Sequence, residues 1–137
     1  MGILTGKRPQ RLGKVKAEDG AGYQLYGAKP NSENTVSSFA TNANCAIAPL
    51  AAKDPGATWQ KLEKIVAAMT GAKIIDAQAD YLYAEFTTKL MGFVDDVEFL
   101  LDASHHRIHV RSASRLGRKD FGVNRKRIEA IRHALNS

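Results

Sequence analysis

Asp95-Asp-Val-Glu-Phe-Leu-Leu-Asp-Ala-Ser-His-His-Arg-Ile-His-Val-Arg-Ser-Ala-Ser-Arg115 is the stretch whose reading decides the fold. Val97, Phe99 and Leu101 alternate with Asp96, Glu98 and Leu100. After a turn near Asp102-Ala-Ser-His105 the alternation resumes, with Ile108, Val110, Ser112 and Ser114 against Arg107, His109, Arg111, Ala113 and Arg115. A period of two marks a strand with one buried face, so this stretch predicts an antiparallel hairpin. Antiparallel register then sets the acidic Asp95-Asp-Val-Glu98 end opposite the basic Arg111–Arg115 end.

Upstream, two further runs carry the same period: Lys73–Ala79 and Tyr81–Lys89. In the second, Leu82, Ala84 and Phe86 share one face and Tyr81, Tyr83 and Glu85 the other. The tyrosine face is expected to be exposed and is a candidate dimer surface; the sequence does not set the oligomeric state. Before these strands, Asp54-Pro55 supplies an N-cap and a first-turn proline. Trp59, Leu62, Ile65, Val66 and Met69 recur at helical spacing until Gly71 supplies the stop. Residues 34–50 read as extended or irregular, with Pro49 and Pro55 forbidding a continuous helix.

Downstream, Asn124 suits a helix N-cap, with Val123 before it and Ile128 placed to close a hydrophobic staple. Ile128, Ile131 and Leu135 form the buried stripe. The first turn is Arg125-Lys-Arg127, three cations at the positive end of the macrodipole, each unfavourable by about 0.3–1 kcal/mol if exposed, so something anionic should offset them. The order of elements implies an α+β fold: an antiparallel sheet of about four to five strands with two helices packed on one face.

At 137 residues the chain is long enough for one core. Residues 1–27 read as a basic, partly flexible N-terminal arm, frayed at its start, and residues 28–137 as a single domain. The net charge of +6 is unevenly spread: residues 1–16 hold five cations and no acid, residues 17–104 six cations against twelve acids, and residues 105–137 nine against two. Such ends attract anions in general. The single Cys45 excludes an internal disulfide framework. With no signal-like apolar run near the start and no long apolar stretch, no transmembrane segment is expected and the cytoplasm is the default location.

The motifs of this chain resemble those of a bacterial and plastid family known as domain of unknown function 1499. The resemblance rests on Asn34-Thr-Val-Ser-Ser38, Ile47-Ala-Pro-Leu50, Gly92-Phe-Val-Asp-Asp-Val-Glu-Phe99 and the long Arg111–Arg127 motif, and covers about residues 28–135. Thr35 stands where the family pattern has cysteine, so thiol chemistry at that position does not transfer, and the N-terminal membrane or signal segment of many members is not seen. The resemblance implies a fold unit and a site but no established activity.

The candidate site lies where the hairpin meets the last helix. In the binding reading Arg111, Arg115, Arg125 and Arg127 carry an anionic group, and Ser112, Ser114 and Asn124 orient it. Asp95, Asp96 and Asp120 hold the arginines, with Ser37 and Ser38 in support. The ligand is then a small anionic molecule or an acidic group of a protein partner. In the structural reading the same arginines are consumed by Asp95, Asp96, Glu98 and Asp120 in an ion network that locks the hairpin to the helix.

His105-His-x-x-His109 is read as a solvated turn rather than a metal site, because His105 and His109 share a face with Arg107 and Arg111. No metal and no cofactor are implied. Asp95 and Asp96 point to opposite faces and cannot share a proton. Ser37-Ser38 lacks the glycines of a nucleophile elbow, and no histidine is placed by motif to activate either serine. The reading therefore leans away from an enzyme, with a small enzyme using the same site as the alternative. The basic segments interleave almost no aromatics beyond Phe121, which argues against a single-strand nucleic-acid platform and leaves only non-specific, salt-dependent phosphate contact.

Overall fold

The pairing of Asp95–Asp102 with Arg107–Ser114 is the axis of the sheet. In the computed structural model, which describes residues 6–9, 12–17, 22–25, 34–89, 92–116 and 122–137, these segments lie in strands β7 (Val94–Asp102) and β8 (Arg107–Ser114). They are joined through a single 3-10 turn, Ala103–His105, and His106 in the left-handed region at φ 53°. Their register runs from Asp102↔Arg107 to Asp95↔Ser114 and sets Glu98 directly opposite Arg111.

The remaining strands extend this hairpin on both sides. β5 (Ala72–Ala77) and β6 (Tyr81–Thr87) follow β7, while β3 (Thr35–Ser37) and the two-residue β4 (Leu50–Ala51) both pair with β8. The sheet is antiparallel in order β3-β8-β7-β6-β5, with β4 off this path. It has six strands rather than four to five. The additional pairing comes from the 34–51 region, whose short strands carry too few residues to show a period.

Helices α1 (Pro55–Ala68) and α2 (Val123–Leu135) cover one face, completing the α+β fold. Asp54 caps α1 by accepting the Ala57 N–H at 3.3 Å, with Pro55 in the first turn. Beyond the helix Gly71 sits at φ 79°, where a Cβ would come within 2.3 Å of the Thr87 carbonyl oxygen, so the helix-to-β5 turn requires glycine. Trp59, Leu62 and Val66 of α1 and Ile128 and Ile131 of α2 pack on Leu82, Ala84, Phe86, Val97, Phe99, Ile108 and Val110 to form the main core.

The opposite face is not open. β1 (Lys14–Lys16) and β2 (Tyr23–Leu25) form a small two-stranded sheet and, among the described residues, pair only with each other. Leu25 and Leu12 pack with Tyr81, Tyr83 and Leu100. Tyr81 and Tyr83 are 3% and 4% exposed. The expectation of an exposed tyrosine surface is therefore corrected: the pleat turns both rings away from the helices as predicted, and the N-terminal segment roofs them over. Residues 1–5, the expected frayed start, lie outside the described residues.

Candidate functional site

Strand alternation sends the site residues named from sequence to two faces of the sheet. On the helix face are Asp95, Ser112, Ser114, Asn124 and Arg127. The Asn124 side chain donates to the Asn34 carbonyl at 2.8 Å and to Ser114 Oγ at 3.0 Å, and its Oδ1 accepts from Ser112 Oγ and from Arg127 Nη1, both at 2.7 Å. Arg127 Nη2 reaches Asp95 Oδ2 at 2.6 Å, and the guanidinium lies 4.8 Å from the Phe86 ring centroid. Asn124 and Ser112 are fully buried. The cluster is a polar inclusion in an apolar layer, with its donors and acceptors matched to each other.

This geometry corrects the start of the last helix. α2 begins at Val123, its N-cap is Gly122 at φ 79°, and Asn124 is one turn-position inside. Capping by Asn is worth about 1 kcal/mol. The carboxamide instead turns inward, where it adds a second donor to the buried Asn34 carbonyl, which also accepts the Ser114 N–H, and an acceptor for Ser112 and Arg127. Val123, 40% exposed, does not close a staple over Ile128.

On the other face Arg111 Nη1 donates to Glu98 Oε1 at 3.0 Å, and Glu98 Oε2 accepts from Tyr81 Oη at 2.6 Å and from the Gly13 N–H at 2.8 Å. Arg115 grips Asp96 with two bonds of 2.9 and 3.0 Å, and its Nη2 also pairs with Glu85. Tyr83 Oη donates to Asp96, and Arg8 pairs with Glu85 at 2.8 Å. Burial raises the Glu98 carboxyl above its ordinary value, and the bonds from Tyr81, Gly13 and Arg111 only partly offset this. At Glu85 burial also pushes upward, but Arg8 and Arg115 outweigh it and the carboxyl is lowered. Burial lowers and Asp96 raises the Arg115 guanidinium, and the raising effect wins.

Arg125 stands apart, donating to the Asn44 carbonyl at 3.3 Å. The seven residues singled out for a ligand thus fall into three places. Asp120 lies outside the described residues.

Ser37 ends β3 and Ser38 begins the turn that follows it. Ser37 Oγ accepts the Phe39 N–H at 3.1 Å. Ser38 donates its own N–H to the Val110 carbonyl at 2.9 Å and accepts the Val110 N–H on Oγ at 2.9 Å, so the hydroxyl replaces the main-chain carbonyl as the chain turns off the sheet. That Oγ also lies 3.1 Å from His109 Nδ1, and His109 Nε2 is 3.7 Å from Asp102 Oδ2. His109 is 6% exposed, stacked on Phe39 at 4.1 Å, and pushed down to about 4 by burial and by Arg107. It therefore does not belong to a solvated turn. A histidine does face Ser38, and the pairing was hidden because it depends on long-range β3–β8 register. Ser38 Oγ is engaged by Val110, and neither Ser38 nor His109 lines the two clefts described here.

Asp102 also binds His105, Arg107 and Ser104. Although burial raises its carboxyl, these bonds hold it at about 2. It borders a cleft of about 220 Å³ with Gly22, Tyr23 and Asp80. A second cleft, of about 350 Å³, opens where α1 ends, β6 ends and α2 begins, over Met69, Phe86, Thr88, Lys89, Val123 and Lys126. Its floor is mainly apolar. Lys89 and Lys126 are exposed and make no ion pair among the described residues. Sequence reasoning flagged Lys126 only as part of an unfavourable first turn; Met69, Phe86 and Lys89 carried no signal beyond their strand and helix spacing.

Among the described residues no group of histidine, cysteine or carboxylate side chains is arranged to hold a metal, and no helix is long and apolar enough to cross a membrane. No curated protein and no solved structure matches this chain. A family model matches residues 27–135, which hold the six-stranded sheet and both helices: the chain belongs to the family described as protein of unknown function (DUF1499).

Proposed function

We propose that the protein is a binding module for a small amphipathic anion, taken in the cleft at the start of α2. The observation that carries this reading is the pairing of an apolar floor, Met69, Phe86 and Val123, with two lysines, Lys89 and Lys126, that have no carboxylate partner among the described residues. Of the three first-turn cations, Arg127 is neutralised by Asp95 and Arg125 leans on a carbonyl, which leaves Lys126 as the one whose charge an anion at the positive helix end would offset.

In this reading Arg111, Arg115, Ser112, Ser114, Asn124, Asp95 and Asp96 hold the frame, and the head group meets the α2 side of the cleft. An apolar tail of a few carbons would lie on Phe86 and Met69, contributing about 0.8 kcal/mol per methylene buried. The ligand class is an alkyl phosphate or short-chain carboxylate rather than a bare ion.

A thermal-shift comparison of octyl phosphate, octanoate, inorganic phosphate and heparin at low and high salt tests this. At a hundred times its dissociation constant a ligand stabilises by about 2.7 kcal/mol, several degrees in a domain of this size. The alkyl anion should shift the midpoint at high salt in the native chain and not in Lys126→Glu or Val123→Asp. Equal shifts from inorganic phosphate, or shifts that survive both substitutions, would remove the cleft from consideration.

A further inference from the structure

The roofed face of the sheet has a charge pattern that matches its roof. Residues 1–16 contain no acid, and three polar ties between the N-terminal segment and the sheet side run from a cation or an N–H above to a carboxylate below. Arg8 pairs with Glu85, Lys14 Nζ with Asp80 at 2.6 Å, and the Gly13 N–H with the fully buried Glu98. The family match starts at residue 27, so Tyr81, Tyr83, Glu85, Asp96, Glu98 and Arg111 lie inside it while β1 and β2 lie outside.

The roof is also lightly attached. β1 and β2 are three residues each and share no ladder with the sheet. Arg8 keeps 52% of its side chain in solvent. On the same side of the sheet as Glu98, Arg111 Nε is buried with no hydrogen-bond partner among the described residues, a donor left unsatisfied. A segment that placed a main-chain carbonyl there would fit the face better than the one now on it.

We propose that this face is a docking surface for a basic, extended segment of another protein, and that the described N-terminal residues 6–9, 12–17 and 22–25 occupy it in cis as a displaceable stand-in. Tyr81, Tyr83 and Leu100 supply the apolar seat, Glu85, Asp80 and Glu98 select cations and N–H donors, and Arg111 Nε awaits an acceptor. The cis segment competes at an effective concentration on the order of millimolar, so an incoming segment gains access only as the roof lifts.

The test uses the full chain and a fluorescein-labelled peptide with the sequence of residues 6–25, beside a control peptide in which the lysines and arginines are replaced by glutamate. Gly13→Pro removes the N–H to Glu98 and cannot hold the φ of 98° at that position, and Lys14→Glu reverses the tie to Asp80. Fluorescence anisotropy should show the basic peptide binding the doubly substituted chain at least about tenfold more tightly than the native chain. Binding should weaken with salt and be absent for the acidic control. Equal affinity for both chains, or equal binding of both peptides, overturns the proposal. Hydrogen exchange on the native chain gives an independent reading that needs no variant: amides of β1 and β2 should exchange at least about a hundredfold faster than those of β7 and β8, by local opening. Protection of β1 and β2 equal to that of β7 would show a roof that lifts only on global unfolding, and would likewise overturn it.

Discussion

Under the helices, Asp95 and Arg127 form the one ion pair, among the described residues, in a layer built from Val97, Phe99, Ile108, Val110 and Ile128. On the other side of the same strands Asp96, Glu98 and Glu85 meet Arg111, Arg115 and Arg8 in a connected ionic layer laced with tyrosine hydroxyls. The two faces bury charge differently. On the helix side each partner has a single counter-charge, so losing it strands the other in a low-dielectric core. On the roofed side Arg115 has two carboxylates and Glu98 three donors, so removing one group leaves the next still served. Isolation makes a polar group indispensable, whereas sharing makes it replaceable.

The widest expected gap between the faces is therefore between Asp95→Ala and Asp96→Asn. Urea denaturation should show Asp95→Ala losing about 3–5 kcal/mol, because Arg127 is left buried without its charge partner. Asp96→Asn should lose about 1 kcal/mol, since Arg115 keeps Glu85 and an amide oxygen. Equal losses would mean the layers do not differ in the way their contacts imply.

Titration sharpens the contrast next. His109 ordinarily titrates at 6.5 and is held at about 4, so between those values the unfolded chain takes up a proton that the folded chain refuses. Stability should be level with respect to this group above 6.5 and fall as the pH drops toward 4, by up to about 1.4 kcal/mol per pH unit. Glu98 works in the opposite sense: its carboxyl is raised, so the folded state holds its proton longer than the unfolded state and stability falls as the pH rises past 4.5. Denaturation midpoints from pH 4 to 7 should fall toward acid less steeply in His109→Gln and more steeply in Glu98→Gln than in the native chain. The same slope in all three would refute both assignments.

Smaller effects lie at the edges. Ser38→Ala removes the acceptor of the Val110 N–H and should cost about 1–3 kcal/mol by denaturation, while Ser38→Thr, which keeps the hydroxyl, should cost less. Lys126→Glu, on an exposed first turn, should change stability by no more than about 0.3–1 kcal/mol and in the stabilising direction, since it replaces a cation at the positive end of α2. A calorimetric midpoint lowered in that variant would place a structural contact at Lys126.

Local spacing made the β7–β8 hairpin, α1 and the inward stripe of α2 legible, because in each the period and the buried face are properties of neighbouring residues. What distance in the chain brings together was not legible. Ser38 meets His109 and Gly13 meets Glu98 only through register and through the fold-back of the N-terminus. Arg111 and Ser112 are adjacent in sequence, and the pleat sets them on opposite sides of the sheet, so a cluster that is dense in the chain is divided in space. The inward turn of Asn124 depended on what Asn34, Ser112 and Ser114 required, which no local cap preference records.

The margins of the sheet show a further consequence. β3 is three residues long and its outer side is taken by the Cys45–Ile47 segment, with the Ser37 N–H on the Cys45 carbonyl and the Ile47 N–H on the Ser37 carbonyl. At the opposite margin the register of β5 slips between Ile74 and Asp76, and Lys73 stands exposed beside the irregularity. A row of unmet amides is an invitation to another strand. One margin here is already filled and the other is bent out of step, so a chain rich in β-structure can crowd against its own copies without stacking into a continuous ribbon.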